Sequence, residues 1–95
     1  MILSGTLSAV IKYKIFLSRS SEKALKKIPK HDLRRVLAKL ESLKIDPFPD
    51  GCKKLEGEAH AFRVRVGVYR IIYDVIGTNL IIFVLKIAHR KEVYR

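Results

Sequence analysis

The sequence predicts a small α+β domain, with a helical hairpin packed on one face of a twisted, mainly antiparallel sheet in the order β-α-α-β-β-β. Three observations predict it. Apolar residues alternate with period two in 10–17 and 62–66, but recur at helical spacing between residues 24 and 43. Gly67 and the Gly77-Thr78-Asn79 stretch separate the last three strand-like runs. The segment Asp46-Pro47-Phe48-Pro49-Asp50-Gly51 divides those runs from the helices and is rich in residues that stop regular structure. At 95 residues the chain suits one domain and is too short for two. Residues 1–95 are therefore read as a single domain, with 1–10 as an N-terminal extension.

Each element has its own grounds. From Val10 to Leu17, Ile11, Tyr13, Ile15 and Leu17 fall on one side and Lys12 and Lys14 on the other, as in a half-buried strand. Ser20 or Ser21 can cap a short helix that has Glu22 in its first turn and Ala24, Leu25 and Ile28 as its stripe. Pro29 ends or bends that helix. Asp32 is expected to cap a longer one, with Leu33, Val36, Leu37, Leu40 and Leu43 inward and Arg34, Arg35 and Lys39 off the stripe. His31, beside Asp32, reads as a residue of the helix start. Phe62, Val64 and Val66 alternate with Arg63 and Arg65, and Val68 to Ile76 is β-branched and aromatic. Leu80 to Ala88 is apolar on both faces, as a central strand is.

Charge narrows the function. Lys plus Arg number 20 against 9 Asp plus Glu, a net charge of +11. The excess is spread over both halves, so the whole body is basic rather than one tail. Polyanions are the natural partners: nucleic acid first, an acidic protein second. A membrane is not expected, because no stretch joins a basic face to aromatic and leucine anchors. The longest apolar run, Leu80 to Leu85, is also far below the ~20 residues that span a bilayer. Met1 to Ile11 lacks the basic start of a signal peptide. Cys52 is the only cysteine, which excludes an internal disulfide framework and suits a reduced, cytoplasmic home.

The arginines carry the chemistry. A two-residue turn at Gly67-Val68 sets Arg65 opposite Arg70 and Arg63 opposite Ile72, whereas a turn at Val66-Gly67 sets Arg63 opposite Arg70. Either register puts Arg63, Arg65 and Arg70 on one face. Opposed like charges cost a sheet some tenths of a kcal/mol. A solvated face uses arginine stems to cover apolar surface, while a phosphate clamp uses the guanidinium forks. The tail adds Lys86, His89, Arg90, Lys91 and Tyr94. Histidine suits proton transfer near neutral pH, and a tyrosine ring can stack on a base. Glu56, Glu58 and His60 match no strong metal-ligand spacing, and no nucleotide-loop or metalloprotease motif is present, so neither metal nor cofactor is expected.

The run Phe62-Arg63-Val64-Arg65-Val66-Gly67-Val68-Tyr69-Arg70-Ile71-Ile72-Tyr73, followed by His89-Arg90-Lys91-Glu92-Val93-Tyr94, resembles the RelE branch of the RelE/ParE toxin superfamily. The likeness extends over about residues 11–95 and includes the Lys53-Lys54-Leu55-Glu56-Gly57 approach. It implies the toxin of a type II toxin–antitoxin system, an endoribonuclease that cleaves mRNA in the ribosomal A site without metal and is neutralised by a cognate acidic antitoxin. By position it implies that Arg63 and Arg65 bind the scissile phosphate and support proton transfer, that Arg70 stabilises the transition state, that Arg90 is the C-terminal catalytic arginine, and that Tyr94 stacks on and orients the base. Lys53, Lys54, Lys86 and Lys91 are the accompanying RNA-binding cations. Characterised members carry Lys where this chain has Arg63 and Arg65. A guanidinium keeps its proton, so neither is suited to be the general base, and His89 is the neighbouring group that could be. Two other classes share parts of this pattern: a ParE-like toxin that inhibits gyrase, and a non-catalytic basic nucleic-acid-binding module.

Overall fold

The chain is described here by a computed structural model covering residues 12–55, 57 and 61–92. Strand β1, Lys14–Leu17, exposes Lys14 and Phe16 and turns Ile15 and Leu17 toward the core, as the alternation requires. The proposed extension 1–10, together with Ile11, lies outside the described residues.

Helix α1, Arg19–Lys27, is capped by Ser18 rather than by Ser20 or Ser21. The Ser18 hydroxyl oxygen accepts the Ser21 backbone N–H at 3.1 Å, and the hydroxyl donates to the Leu85 carbonyl at 2.9 Å. Fully buried Ser21 donates in turn to the Val84 carbonyl at 3.1 Å. Three serines in four positions all suit a cap by type, and all three hydroxyls reach the Val84 or Leu85 carbonyl. Ser18 is the one whose extended backbone, φ −68 and ψ 163, also sets its oxygen at the Ser21 N–H. Ile28 is extended at φ −76, ψ 132, the conformation favoured before proline.

Helix α2, Lys30–Ile45, starts directly after Pro29, whose carbonyl accepts the Leu33 N–H at 2.8 Å. Asp32 therefore sits inside the first turn, where it favours the helix dipole, and is not the cap. Val36, Leu40 and Leu43 are buried, while Leu37 lies outside the stripe at 44% exposure. The helix ends where expected: Asp46 accepts the Phe48 N–H at 3.0 Å in a side-chain turn. Just beyond, the buried Tyr73 hydroxyl donates to the Pro47 carbonyl at 2.8 Å.

The second half contains β2 (Lys53–Lys54), β3 (Ala61–Val66), β4 (Tyr69–Ile76) and β5 (Ile81–His89), then a short 3₁₀ turn over Arg90–Glu92. Two-residue β2 has no hydrophobic alternation and was not foreseen. The sheet order is β1-β5-β4-β3-β2, with β1 parallel to β5 and every other neighbour antiparallel. The result is a five-stranded mixed sheet with both helices on one face, the predicted α+β class. Tyr73, Ile71, Ile82 and Val84 meet Val36, Leu40 and Leu43 in the core. Among the described residues, no helix is long and apolar enough to cross a membrane.

One irregularity decides which side chains share a face. Ile72 pairs with Lys86, but Tyr73 pairs with Val84, so Leu85 is an extra residue in β5. The bulge shifts parity by one. Before it, Ile82 and Val84 point to the helices; after it, Ile87 and His89 take that direction, and Lys86 and Ala88 face outward.

Candidate functional site

The β3–β4 hairpin settles the register left open by the sequence. Arg65 pairs with Arg70, Arg63 with Ile72, and Val66 with Tyr69, so the turn is Gly67-Val68. Gly67 has φ +59, and Leu80 is the only non-glycine described residue with positive φ; this is the pattern of a type II′ turn with glycine first. On the other side of β3, Lys53 pairs with Arg63. Two like-charge pairs thus stand side by side on the face away from the helices. A structural ladder gains nothing from either.

These side chains enclose a cleft of about 300 Å³ lined by Gly51, Lys53, Arg63, Val64, Arg65 and Arg70. The cations are graded in depth: Arg70 is buried at 8% exposure, Arg63 is half-buried and Arg65 is exposed. Lys53, Arg63 and Arg65 form no ion pair among the described residues. Asp74 is the only carboxylate in the five strands. Ala88 is the residue opposite Arg70, and both are buried. Such a cleft can hold a phosphate and meet charge that grows on it.

The remaining predicted residues divide. Lys86 lies opposite Ile72 and joins the arginine face. Lys54, opposite Phe62, has the other parity. His89 does not join the arginines, contrary to its expected place in their site. The bulge turns it toward the helices, where its ring meets Tyr69 edge-on at 5.3 Å and its Nδ1 accepts the Lys91 N–H at 3.1 Å. His89 and Lys91 line a separate groove of about 480 Å³ with Lys23, Lys27, Ile28 and Tyr69. Exposed Arg90 opens the 3₁₀ turn, and its N–H donates to the Val68 carbonyl at 2.7 Å, which ties the tail to the hairpin. Tyr94 lies outside the described residues, as do Glu56, Glu58 and His60. Among the described residues, no group of three His, Cys, Asp or Glu side chains could hold a metal ion.

A sequence model of the family described as "ParE toxin of type II toxin-antitoxin system, parDE" matches residues 15–94. The chain belongs to this toxin family. Within it, the likeness runs to RelE. The chain is 31% identical over 88 residues to the Methanocaldococcus jannaschii protein named RelE1, covering 90% of this chain and 98% of that one. It is also 31% identical over 85 residues to toxin RelE3 of the same organism, covering 85% and 94%. The crystal structure of the archaeal RelE–RelB complex from Pyrococcus horikoshii OT3 matches 87% of this chain and 100% of its own, at 32% identity and a TM-score of 0.77. The Mycobacterium tuberculosis toxin–antitoxin complex RelBE2 matches 84% of this chain and 100% of its own, at 26% identity and a TM-score of 0.74. The expected RelE-like toxin is thereby established.

Two features of this RelE-like chain were not singled out in the sequence. The first is Tyr73, which lies beneath the arginine hairpin. Burial, and then the neighbouring Cys52 and Asp46, push its phenol well above the ordinary value of 10.0. The second is Arg35 of α2, whose guanidinium lies against the hairpin turn. A Cβ at Gly67 would stand 3.0 Å from Arg35 Nη1, so the glycine provides room as well as its positive φ. Arg35 could have been noticed as one of the cations off the α2 stripe, but nothing in helical spacing says which strand turn they meet.

Proposed function

We propose that this chain is a metal-independent endoribonuclease toxin that cuts mRNA on the ribosome and is neutralised by a cognate acidic antitoxin. The observation that carries the reading is the cleft of Lys53, Arg63, Arg65 and buried Arg70, two like-charge pairs held face to face in a RelE-like chain. In the reaction, the ribose 2′-hydroxyl gives up its proton to water as its oxygen bonds to the adjacent phosphorus. The bond to the 5′-oxygen breaks and the leaving 5′-oxygen takes a proton from water, so the products are a 2′,3′-cyclic phosphate and a 5′-hydroxyl. Negative charge grows on the non-bridging oxygens at the transition state. Arg63 and Arg65 hold the phosphate, and Arg70, fixed by burial, directs its donors at the growing charge. Lys86 on the same face, and Lys54 and Lys91 beyond it, attract the RNA backbone.

Arg90 adds a further cation and Tyr94 a stacking ring from the segment after β5. His89 acts from the helix side of the sheet, so its part is to position that segment through the Lys91 N–H rather than to move a proton in the cleft. The antitoxin reading is supported by the RelE–RelB and RelBE2 complexes of the related structures and by the net charge of +11. Ribosomal mRNA as substrate places the protein in the cytoplasm.

Primer extension on a translated message, with and without the purified protein, tests the reading. Cuts within the translated region that require ribosomes are expected. An uncut message together with inhibited gyrase supercoiling would replace this reading with the ParE-like one, and RNA binding alone would leave a non-catalytic module.

A further inference from the structure

We infer that α2 carries a second phosphate site, in which Arg35 and Lys39, together with Arg65, hold RNA backbone beyond the cleavage cleft; this rests on the proposed action on RNA. The site is a cavity of about 510 Å³ between α2, which contributes Arg35, Lys39 and Ser42, and the β3–β4 hairpin, which contributes Arg65, Val66 and Gly67. No carboxylate lines it, and none of its three cations forms an ion pair among the described residues.

Arg35 and Lys39 are four residues apart and so share one side of the helix. Like charges at that spacing destabilise a helix, where a Glu at either position would stabilise it. The pair is therefore a cost to folding that an anion removes. Arg35 is also the cation that Gly67 accommodates: its Nη1 and Cζ would lie 3.0 and 3.4 Å from a Cβ there. Its exposed fork lies beside the turn, within reach of a ligand at the hairpin.

Arg65 lines both this cavity and the cleavage cleft. Strand β2 pairs with β3 only at Phe62 and Arg63, so β3 from Val64 to Val66 forms the sheet edge there. The two cavities thus meet around that edge through one shared side chain. A chain of phosphates suits this layout better than an acidic peptide. Peptide docking needs apolar pockets for anchoring side chains, and the apolar residue contributed by the hairpin, Val66, is already buried.

The bound phosphates can belong to the message strand beside the cut or to ribosomal RNA, and two probes separate these. Affinity is measured against salt for ribosomes without message and for a free single-stranded message fragment, using the parent and the Arg35→Ala/Lys39→Ala variant. Each lost phosphate contact lowers the slope of log affinity on log salt by ~0.7–0.9, so a fall of about 1.4–1.8 is expected. A fall with vacant ribosomes assigns ribosomal RNA, and a fall only with the free strand assigns the message. An unchanged slope with both probes overturns the site, as does a variant that loses only antitoxin binding. If the double variant melts early, the single changes Arg35→Gln and Lys39→Gln are each expected to remove about half the effect. Primer extension with the parent keeps the two ideas apart. A parent that fails to cut while the slope still falls removes the nuclease and leaves the site; a parent that cuts while the slope is unchanged removes the site alone.

Discussion

Arg70 is the cation that the sheet buries, and burial gives its fork a fixed direction. Arg65 opposite it is exposed and free to follow a ligand. Arg70→Ala is expected to lower the single-turnover cleavage rate by about a hundredfold or more, the scale of losing one preorganised donor. Arg70→Lys should not restore it fully, because an ammonium is a point charge without the planar fork. Melting temperatures measured alongside show whether the fold survives, and a well-folded Arg70→Ala that cleaves at the parent rate removes Arg70 from the site. Tyr73 gives a second test. Its phenol holds its proton more tightly folded than unfolded, so its neutral form contributes stability in full below pH 10. Above that value the unfolded chain releases the proton first, and stability should fall by up to about 1.4 kcal/mol per pH unit. Tyr73→Phe should flatten this alkaline slope in urea titrations, at the cost of the 2.8 Å bond to Pro47. At this scale, alternation alone placed Arg63, Arg65 and Arg70 on one face. His89 stands on the other face because a bulge in β5 reverses parity. The signal was present: unbroken alternation from Ile82 and Val84 would have buried Lys86 and exposed Ile87.

Among the elements, α1 is held at its start by one hydroxyl that serves two partners. Ser18→Ala removes the acceptor for the Ser21 N–H and the donor to the Leu85 carbonyl. A loss of about 1–2 kcal/mol is expected from chemical denaturation, the upper part of the range for caps; a Ser18→Ala protein as stable as its parent would show that Ser20 can take over. Elements were legible where side chains declare a period, as in α2 and β3, and at stops such as Asp46-Pro47. They were illegible where the backbone alone decides. Lys53-Lys54 becomes a strand because its amides and carbonyls meet β3, and no hydrophobic pattern marks that. The partner of β1 was equally hidden: alternation reports which face is buried but not which strand lies alongside.

The whole molecule carries +11, so its affinity for RNA is expected to fall steeply with salt. In the proposed mechanism arginines meet the growing charge, so any cleavage of RNA that occurs without ribosomes is expected to survive EDTA. Cleavage that vanishes on chelation and returns with Mn²⁺ would require a metal-assisted mechanism instead. Ribosomes need Mg²⁺ for their own integrity, so the chelation arm on a translated message is read only where the ribosomes stay intact.

The parallel pairing of β1 with β5 also fixes when the toxin can come into being during synthesis. Lys14–Leu17 must wait for Ile81–Val84, and the serines that start α1 bond to carbonyls of Val84 and Leu85, more than sixty residues downstream. Arg70 likewise acquires its neighbour Ala88 only from β5. A growing chain of 80 residues therefore has its arginines but not the sheet that aims them. With synthesis at ~5–20 residues per second, that interval lasts seconds. The ribosome making this protein is spared a finished toxin until the strand that completes it has been translated.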